Sequence, residues 1–528
     1  MLPGGRITTA TTVPAGSLSG LTGQPITAQP IKDLPSFCRV AATLTPSSDS
    51  NIKIEVWLPL RGWNGKYQGT GNGGYAGHIA YGSLAAGLRR GYATANTDLG
   101  TSDPSGNPDA LTGHAERWAD WGWRATHEMT NAARQIIQAF YGTPPTHSYF
   151  VGCSTGGQQA LVEAQRFPDD YDGILAGAPA NNRTRLHMAF IWDAAAFVQE
   201  PGSAIPPSKL QLISDAVGRA CSAHKAVPSD PFLSTPQSCT WNPAALLCHG
   251  ADASGCLTAA QVTTAQKLYD GPSRGVAPHA KSRSQAYARL PGLMRNSGPM
   301  RNPGLNNPEL ALYPGLTRGS ELAWGELMPQ TDHSPGRPDN APGRLSGHPI
   351  YDTLFKWVFG RQWNWRTFDF DHDADAVDQA LAGTLNATNP DLSAFKAHGH
   401  KLIVFHGWSD AIVPSLESIN YDRSVINTQS TVASAHGKTA LDETRSFYRL
   451  FMVPGMAHCG GGPGLNEVEA LPSLERWVEK GVAPDWIVAR RMEDGVTRRS
   501  RPVCSYPNVE KYNGAGDAND AASFSCSK

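Results

Sequence analysis

The sequence predicts an α/β protein in which a mostly parallel sheet, covered by helices, is interrupted by one large insertion. Three observations carry this. Strand-like runs alternate with helical periodicity near both ends of the chain. At 148–166 a strand, a sharp glycine-rich turn and a helix follow one another. Between 183 and 400 no sustained strand alternation occurs. The chain has 528 residues, too many for one small core, so more than one domain or a large insertion is expected. Charged residues make up only 17% against 40% hydrophobic, which excludes extensive disorder. Lys plus Arg (45) nearly balances Asp plus Glu (46), so the basic footprint of a nucleic-acid binder is missing. No run approaches the ~18 apolar residues of a membrane helix. The 54 Gly and 40 Pro predict many turns and long connections, where chemistry tends to sit.

Taken in order, 52–58 alternates Ile52, Ile54, Val56 and Leu58 with Lys53, Glu55 and Trp57, the period of a half-buried strand. Strands are also expected at 66–70 and 92–98. Within 71–77 four glycines let the backbone approach a ligand and aim N–H groups at it. Residues 121–141 carry apolar side chains at helical spacing, with Gly142 and Pro144 as the stop. A strand at 148–151, a helix at 158–166 and an apolar strand at 173–178 follow. Far downstream, 401–406 and 448–453 read as buried parallel strands, each ending in a polar loop. The division is therefore a first core part at 1–182, a lid inserted at 183–400 over the carboxyl ends of the strands, and a second core part at 401–528. The run 296–308 is loop-like.

Gly152-Cys153-Ser154-Thr155-Gly156-Gly157 fits a nucleophile elbow, where small neighbours permit a strained turn that lifts a serine hydroxyl above the sheet. The pattern alone is weak; its setting between a strand and a helix strengthens it. The Thr155 N–H at the helix start would face a developing oxyanion, and Gly73 or Gly74 would supply a second N–H. Serine needs a histidine to take its proton, and that histidine needs a carboxylate. His458 lies in the glycine-rich loop after 448–453, and Asp410 directly after 401–406. The order Ser154, Asp410, His458 is that of the α/β-hydrolases. His406 is the main rival base. Taken singly, His458 and Asp410 would more often be structural polar residues, and the ordered trio at strand ends reverses that expectation.

Cys153 precedes the serine and Cys459 follows the histidine, so if Ser154 and His458 meet, the two cysteines fall within disulfide reach. A metal site of Cys153, His458, Cys459 and His406 competes with this reading but would leave the elbow idle. Nine cysteines without a C-x-x-C pair favour disulfides, hence an oxidising compartment and a secreted or periplasmic protein, whose signal peptide is not in this numbering.

The elbow, together with Gly407-Trp408-Ser409-Asp410 and His458-Cys459-Gly460-Gly461-Gly462-Pro463-Gly464, resembles the tannase/feruloyl esterase family, and the likeness runs through most of the chain. That family includes feruloyl esterases, tannases and mono(2-hydroxyethyl) terephthalate hydrolase. The resemblance implies an α/β-hydrolase core with a large lid, a triad on Ser154, Asp410 and His458, and the Cys153–Cys459 bridge. It also implies the pairs Cys221–Cys239, Cys248–Cys256 and Cys504–Cys526, with Cys38 left free. The expected activity is carboxylic ester hydrolysis without a cofactor, on a small-molecule ester of an aromatic acid: feruloyl, galloyl or terephthalate monoester. A second carboxylate on the substrate would call for an Arg in the lid. A catalytically silent binding fold and a serine peptidase are the alternatives; the intact trio argues against the first, and the lack of an added peptidase domain against the second. Two departures stand out. Family lids carry a calcium loop rich in Asp after a cysteine, whereas here Cys221-Ser222-Ala223-His224-Lys225-Ala226-Val227-Pro228-Ser229-Asp230 offers little carboxylate, so no metal is expected there. Gln158 stands where the family often has Arg.

Overall fold

The computed structural model describes residues 4–18, 31–102, 108–275, 310–329, 349 and 351–527. The loop-like run expected at 296–308 lies outside them. Nine strands form the central sheet: β1 (Gly5–Val13), β2 (Phe37–Leu44), β3 (Ile52–Pro59), β4 (Lys66–Thr70), β5 (Ala93–Thr97), β6 (His147–Cys153), β7 (Gly173–Gly177), β8 (Lys401–Gly407) and β9 (Tyr448–Val453). Their spatial order is β1-β2-β3-β5-β4-β6-β7-β8-β9. Pairing is antiparallel from β1 through β5 and parallel from β5 across to β9. All five residues of β5 and of β7 are buried, as expected of parallel strands covered on both faces. The α/β-hydrolase class expected from the sequence is the one observed.

The edge strand β1 and its neighbour β2 escaped the sequence reading. In β1 a half-buried residue recurs only every fourth position, so the chain shows no period-two signal there. The expected helix at 121–141 begins with one π-type turn at Asp120–Arg124 and continues as α1 (Ala125–Tyr141), which buries Ala125, Met129, Ala132, Ala133, Ile136 and Ile137 along one face. Gly142 closes it in the left-handed conformation, with φ 76°.

The elbow leads into α2 (Thr155–Arg166), and α3 (Arg183–Val198) follows β7. Although it carries Arg183, Arg185, His187 and Asp193, α3 is buried nearly throughout. It gives Met188, Ile191 and Trp192 to the main core and Leu186, Phe190 and Phe197 to a second core. That second core also holds α4 (Pro207–Ala220), α5 (Ala259–Asp270) and Trp324, together with Ala411 and Val413 from the loop after β8. Among the described residues, 183–400 contains no strand. Side chains from Leu354 to Phe395 join the main core rather than the second one.

Four disulfides form: Cys153–Cys459, Cys221–Cys239, Cys248–Cys256 and Cys504–Cys526, the pairs named above, while Cys38 is free. In the loop after Cys221 the sole carboxylate is that of Asp230. It receives Arg501 Nη2 at 3.0 Å and the Val227 N–H at 3.2 Å, and Arg499 lies 3.6 Å away. A carboxylate already held by two guanidinium groups, beside Lys225, does not fit a calcium ion.

Candidate active site

Ser154 sits between β6 and α2 with φ 65° and ψ −119°, a strained backbone worth about 1–3 kcal/mol that the surroundings must hold. Small neighbours make the turn possible. A Cβ added at Gly152 would lie 2.4 Å from Gly156 O, and one at Gly156 would lie 3.0 Å from Gly71 Cα. The glycine loop 71–77 therefore packs directly on the elbow. Gly156 N–H donates to Asn72 O at 2.7 Å, and the Thr155 hydroxyl donates to Gly74 O at 2.8 Å, so two bonds bracket Gly73. As first residue of α2, Thr155 has an N–H without an intrahelical acceptor, as an oxyanion donor requires.

Asp410 follows β8 and is fully buried. Its Oδ1 accepts the N–H groups of Ile412 at 2.8 Å and Val413 at 2.9 Å, and its Oδ2 faces His458 Nδ1 at 2.7 Å. Burial alone would raise this carboxyl, but the facing His458 and the hydrogen bonds from His406 and His458 hold it well below the usual carboxylate range. His458 is affected in the opposite sense: burial lowers it, yet the Asp410 charge and hydrogen bond outweigh burial and lift the imidazole above its ordinary value. The loop carrying His458 is sewn to the loop carrying Asp410 by Trp408 N–H to Val453 O and Ser409 N–H to Met456 O, both 2.9 Å. Gly407 is indispensable to that contact, since a Cβ there would lie 2.2 Å from Met456 O.

Ser154 and His458 line one cavity of about 690 Å³, together with Gly73, Gly74, Tyr351 and Phe405. The Cys153–Cys459 bridge, with Cα atoms 6.0 Å apart, joins their neighbours across 306 residues of sequence. Among the described residues no hydrogen bond joins the Ser154 hydroxyl to the ring, a looseness common in such pairs before substrate binds. Replacing Cys153 and Cys459 together by Ser is expected to lower kcat about 10–100-fold through loss of alignment and to reduce stability by about 2–4 kcal/mol. Rate and urea-midpoint measurements check this; a variant with wild-type kcat would show the clamp to be dispensable.

His406 does not reach the cavity. It is fully buried behind the acid, with Nε2 3.1 Å from Asp410 Oδ2 and 2.9 Å from Val413 O, and Nδ1 2.7 Å from Ser418 Oγ. Two acceptors facing Nε2 require the proton there, so His406 donates to the acid and cannot serve as the base. Sequence reasoning missed that role. Because Cys153 and Cys459 are bonded to each other, neither offers a thiolate to the metal site considered above. Gln158 donates to Gly122 O at 3.0 Å and Leu385 O at 2.8 Å, tying the elbow helix to neighbouring turns. Elsewhere, His127, Glu163 and Asp170 bring ligand-type atoms within 4.8 Å of one another. There His127 Nδ1 bonds Asp170 and its Nε2 bonds Asn131, so both ring nitrogens are engaged.

Comparison with known proteins identifies relatives among esterases. The family model described as tannase and feruloyl esterase matches residues 38–527. An uncharacterized esterase of Xanthomonas campestris pv. campestris is 34% identical over 99% of this chain and 89% of its own length. Mono(2-hydroxyethyl) terephthalate hydrolase of Piscinibacter sakaiensis is 30% identical over 93% of this chain and 85% of its own. The crystal structure of feruloyl esterase B from Aspergillus oryzae superposes with a TM-score of 0.81 at 27% identity, covering 100% of this chain and 97% of that one.

Proposed function

The chain belongs to the tannase and feruloyl esterase family of carboxylic ester hydrolases, and from that premise we propose that it cleaves esters of aromatic acids through an acyl-enzyme on Ser154. The observation that carries the reading is that Ser154 and His458 open onto one cavity while His458 Nδ1 is held by Asp410. With Nδ1–H directed at the carboxylate, the opposite nitrogen is left to take the Ser154 proton. The alkoxide attacks the ester carbonyl, and the resulting oxyanion is met by the Thr155 N–H and that of Gly73 or Gly74. His458 then protonates the departing alcohol and draws a proton from the water that frees the acid.

An aromatic acyl group is supported by the names of the relatives, which act on feruloyl and terephthalate esters, and by Tyr351 and Phe405 in the cavity wall. Four disulfides suit a secreted or periplasmic setting, and among the described residues no helix is long and apolar enough to cross a membrane. Methyl ferulate, methyl gallate and mono(2-hydroxyethyl) terephthalate form the deciding panel. We expect kcat/KM for at least one of them to exceed that for an aliphatic ester of equal size by about 100-fold or more. An equal rate on the aliphatic ester would overturn the aromatic assignment while leaving the esterase intact; a faster rate on the matching anilide would favour a peptidase.

A further inference from the structure

Behind the oxyanion site lies a buried cation with no anionic partner among the described residues. Arg183, the first residue of α3, is 4% exposed, and no described carboxylate lies within ion-pair distance of it. Among the described residues its Nε has no hydrogen-bond partner. Its Nη2 donates to Thr155 Oγ1 at 3.0 Å and lies 3.4 Å from Gln158 Oε1, and the guanidinium stands over the Trp121 ring at 4.8 Å. Burying an unpaired charge is costly, and an apolar side chain would fill the same space beside Trp121 without that cost.

The hydrogen-bond logic shows what the cation does. Guanidinium only donates, so Thr155 Oγ1 must accept from Arg183, and the one hydroxyl proton is left for Gly74 O. Gly74 O also receives Trp121 Nε1 at 3.3 Å. We infer that Arg183 is a positioning residue of the oxyanion site, orienting the Thr155 hydroxyl so that elbow and 71–77 loop stay joined, and placing positive charge behind the point where the ester oxygen becomes anionic. This inference rests on the serine esterase reading.

The charge is permanent at neutral pH, because burial lowers the guanidinium only to about 10. The titratable groups facing it are Tyr75, Tyr351 and Tyr313, with His187 one turn along α3. Burial raises Tyr75 and Tyr313, and burial together with Arg183 lowers His187, so these three are neutral at working pH. The charged groups facing His458 are Asp410 and Glu326, which favour its protonation, and Arg183, which opposes it. Removing Arg183 therefore has a signature that loss of packing lacks: the imidazole should become easier to protonate.

Arg183→Met is expected to lower kcat about 10–100-fold with KM changed less than about threefold, and to move the acid limb of kcat/KM to higher pH. Arg183→Lys, which keeps the charge, should leave the limb at its wild-type position and recover most of kcat. Thr155→Val should lower kcat without moving the limb, and adding Arg183→Met to it should cost less than in the wild type. Unchanged kcat, an unmoved limb, or equal losses in the Met and Lys variants would overturn the inference. If Arg183→Met does not fold, Arg183→Gln, which also removes the charge, and its combination with Thr155→Val decide, strictly additive losses overturning the inference. Fluorophosphonate labelling of the wild type keeps the premise separate: no adduct on Ser154 refutes the esterase reading, whereas a labelled wild type beside an unaffected Arg183→Met refutes only the role of Arg183.

Discussion

Ser154→Ala is expected to reduce ester turnover by at least ~10⁴-fold while leaving the folded protein intact. Alanine keeps the Cβ that already occupies the strained backbone at φ 65°, so the elbow pays no new steric penalty. The hydrogen bonds that hold the turn, Ser154 N–H to Gly177 O at 3.0 Å and Ala180 N–H to Ser154 O at 3.1 Å, are made by the main chain and survive the change. What disappears is the hydroxyl facing the cavity shared with His458. The thermal midpoint should stay within a few degrees of wild type. Residual hydrolysis near the wild-type rate, in a protein free of wild-type contamination, would end the assignment of Ser154.

Asp410→Asn should cost about 10⁴-fold in kcat, and the reason lies in donor and acceptor directions. Oδ1 accepts two backbone N–H groups, so the amide oxygen of Asn must take that side. Its NH2 then faces His458 Nδ1 and His406 Nε2, where the carboxylate had accepted from both. To accept from the amide, His458 must carry its proton on the other nitrogen, the tautomer that cannot take a proton from Ser154. The pH profile supplies a second reading. In the wild type Asp410 raises His458, so kcat/KM should fall as the pH drops through a value above the ordinary ~6.5 of imidazole. In the Asn variant that support is lost, and the limb of the residual activity should move to lower pH, opposite to the shift expected for Arg183→Met. A wild-type limb below 6.5 would contradict the assignment of His458 as an Asp410-supported base.

The parallel half of the sheet was legible largely because β7, β8 and β9 are buried and read as apolar runs. The antiparallel edge was not, because β1 is largely exposed and rich in Thr, so neither face imposes a pattern. Ser154, Asp410 and His458 could be nominated because each stands just beyond a strand. Arg183 could not be given its role because it acts through Thr155, 28 residues earlier in the chain. His406 stands only four residues before Asp410, and what stayed hidden was which of its ring nitrogens meets the carboxylate. The double allegiance of α3 was equally hidden: its sequence does not show that its apolar side chains divide between two cores.

The Cys153–Cys459 link spans 306 residues, with the whole of 183–400 lying between its ends. During synthesis Ser154 therefore emerges long before His458, and a half-made chain lacks one of the two side chains that open onto the cavity. On the proposed reading the full hydrolytic rate is reached late, after the intervening region has emerged and an oxidant has sealed the pair. Maturation in a thiol-rich compartment would leave that seal open.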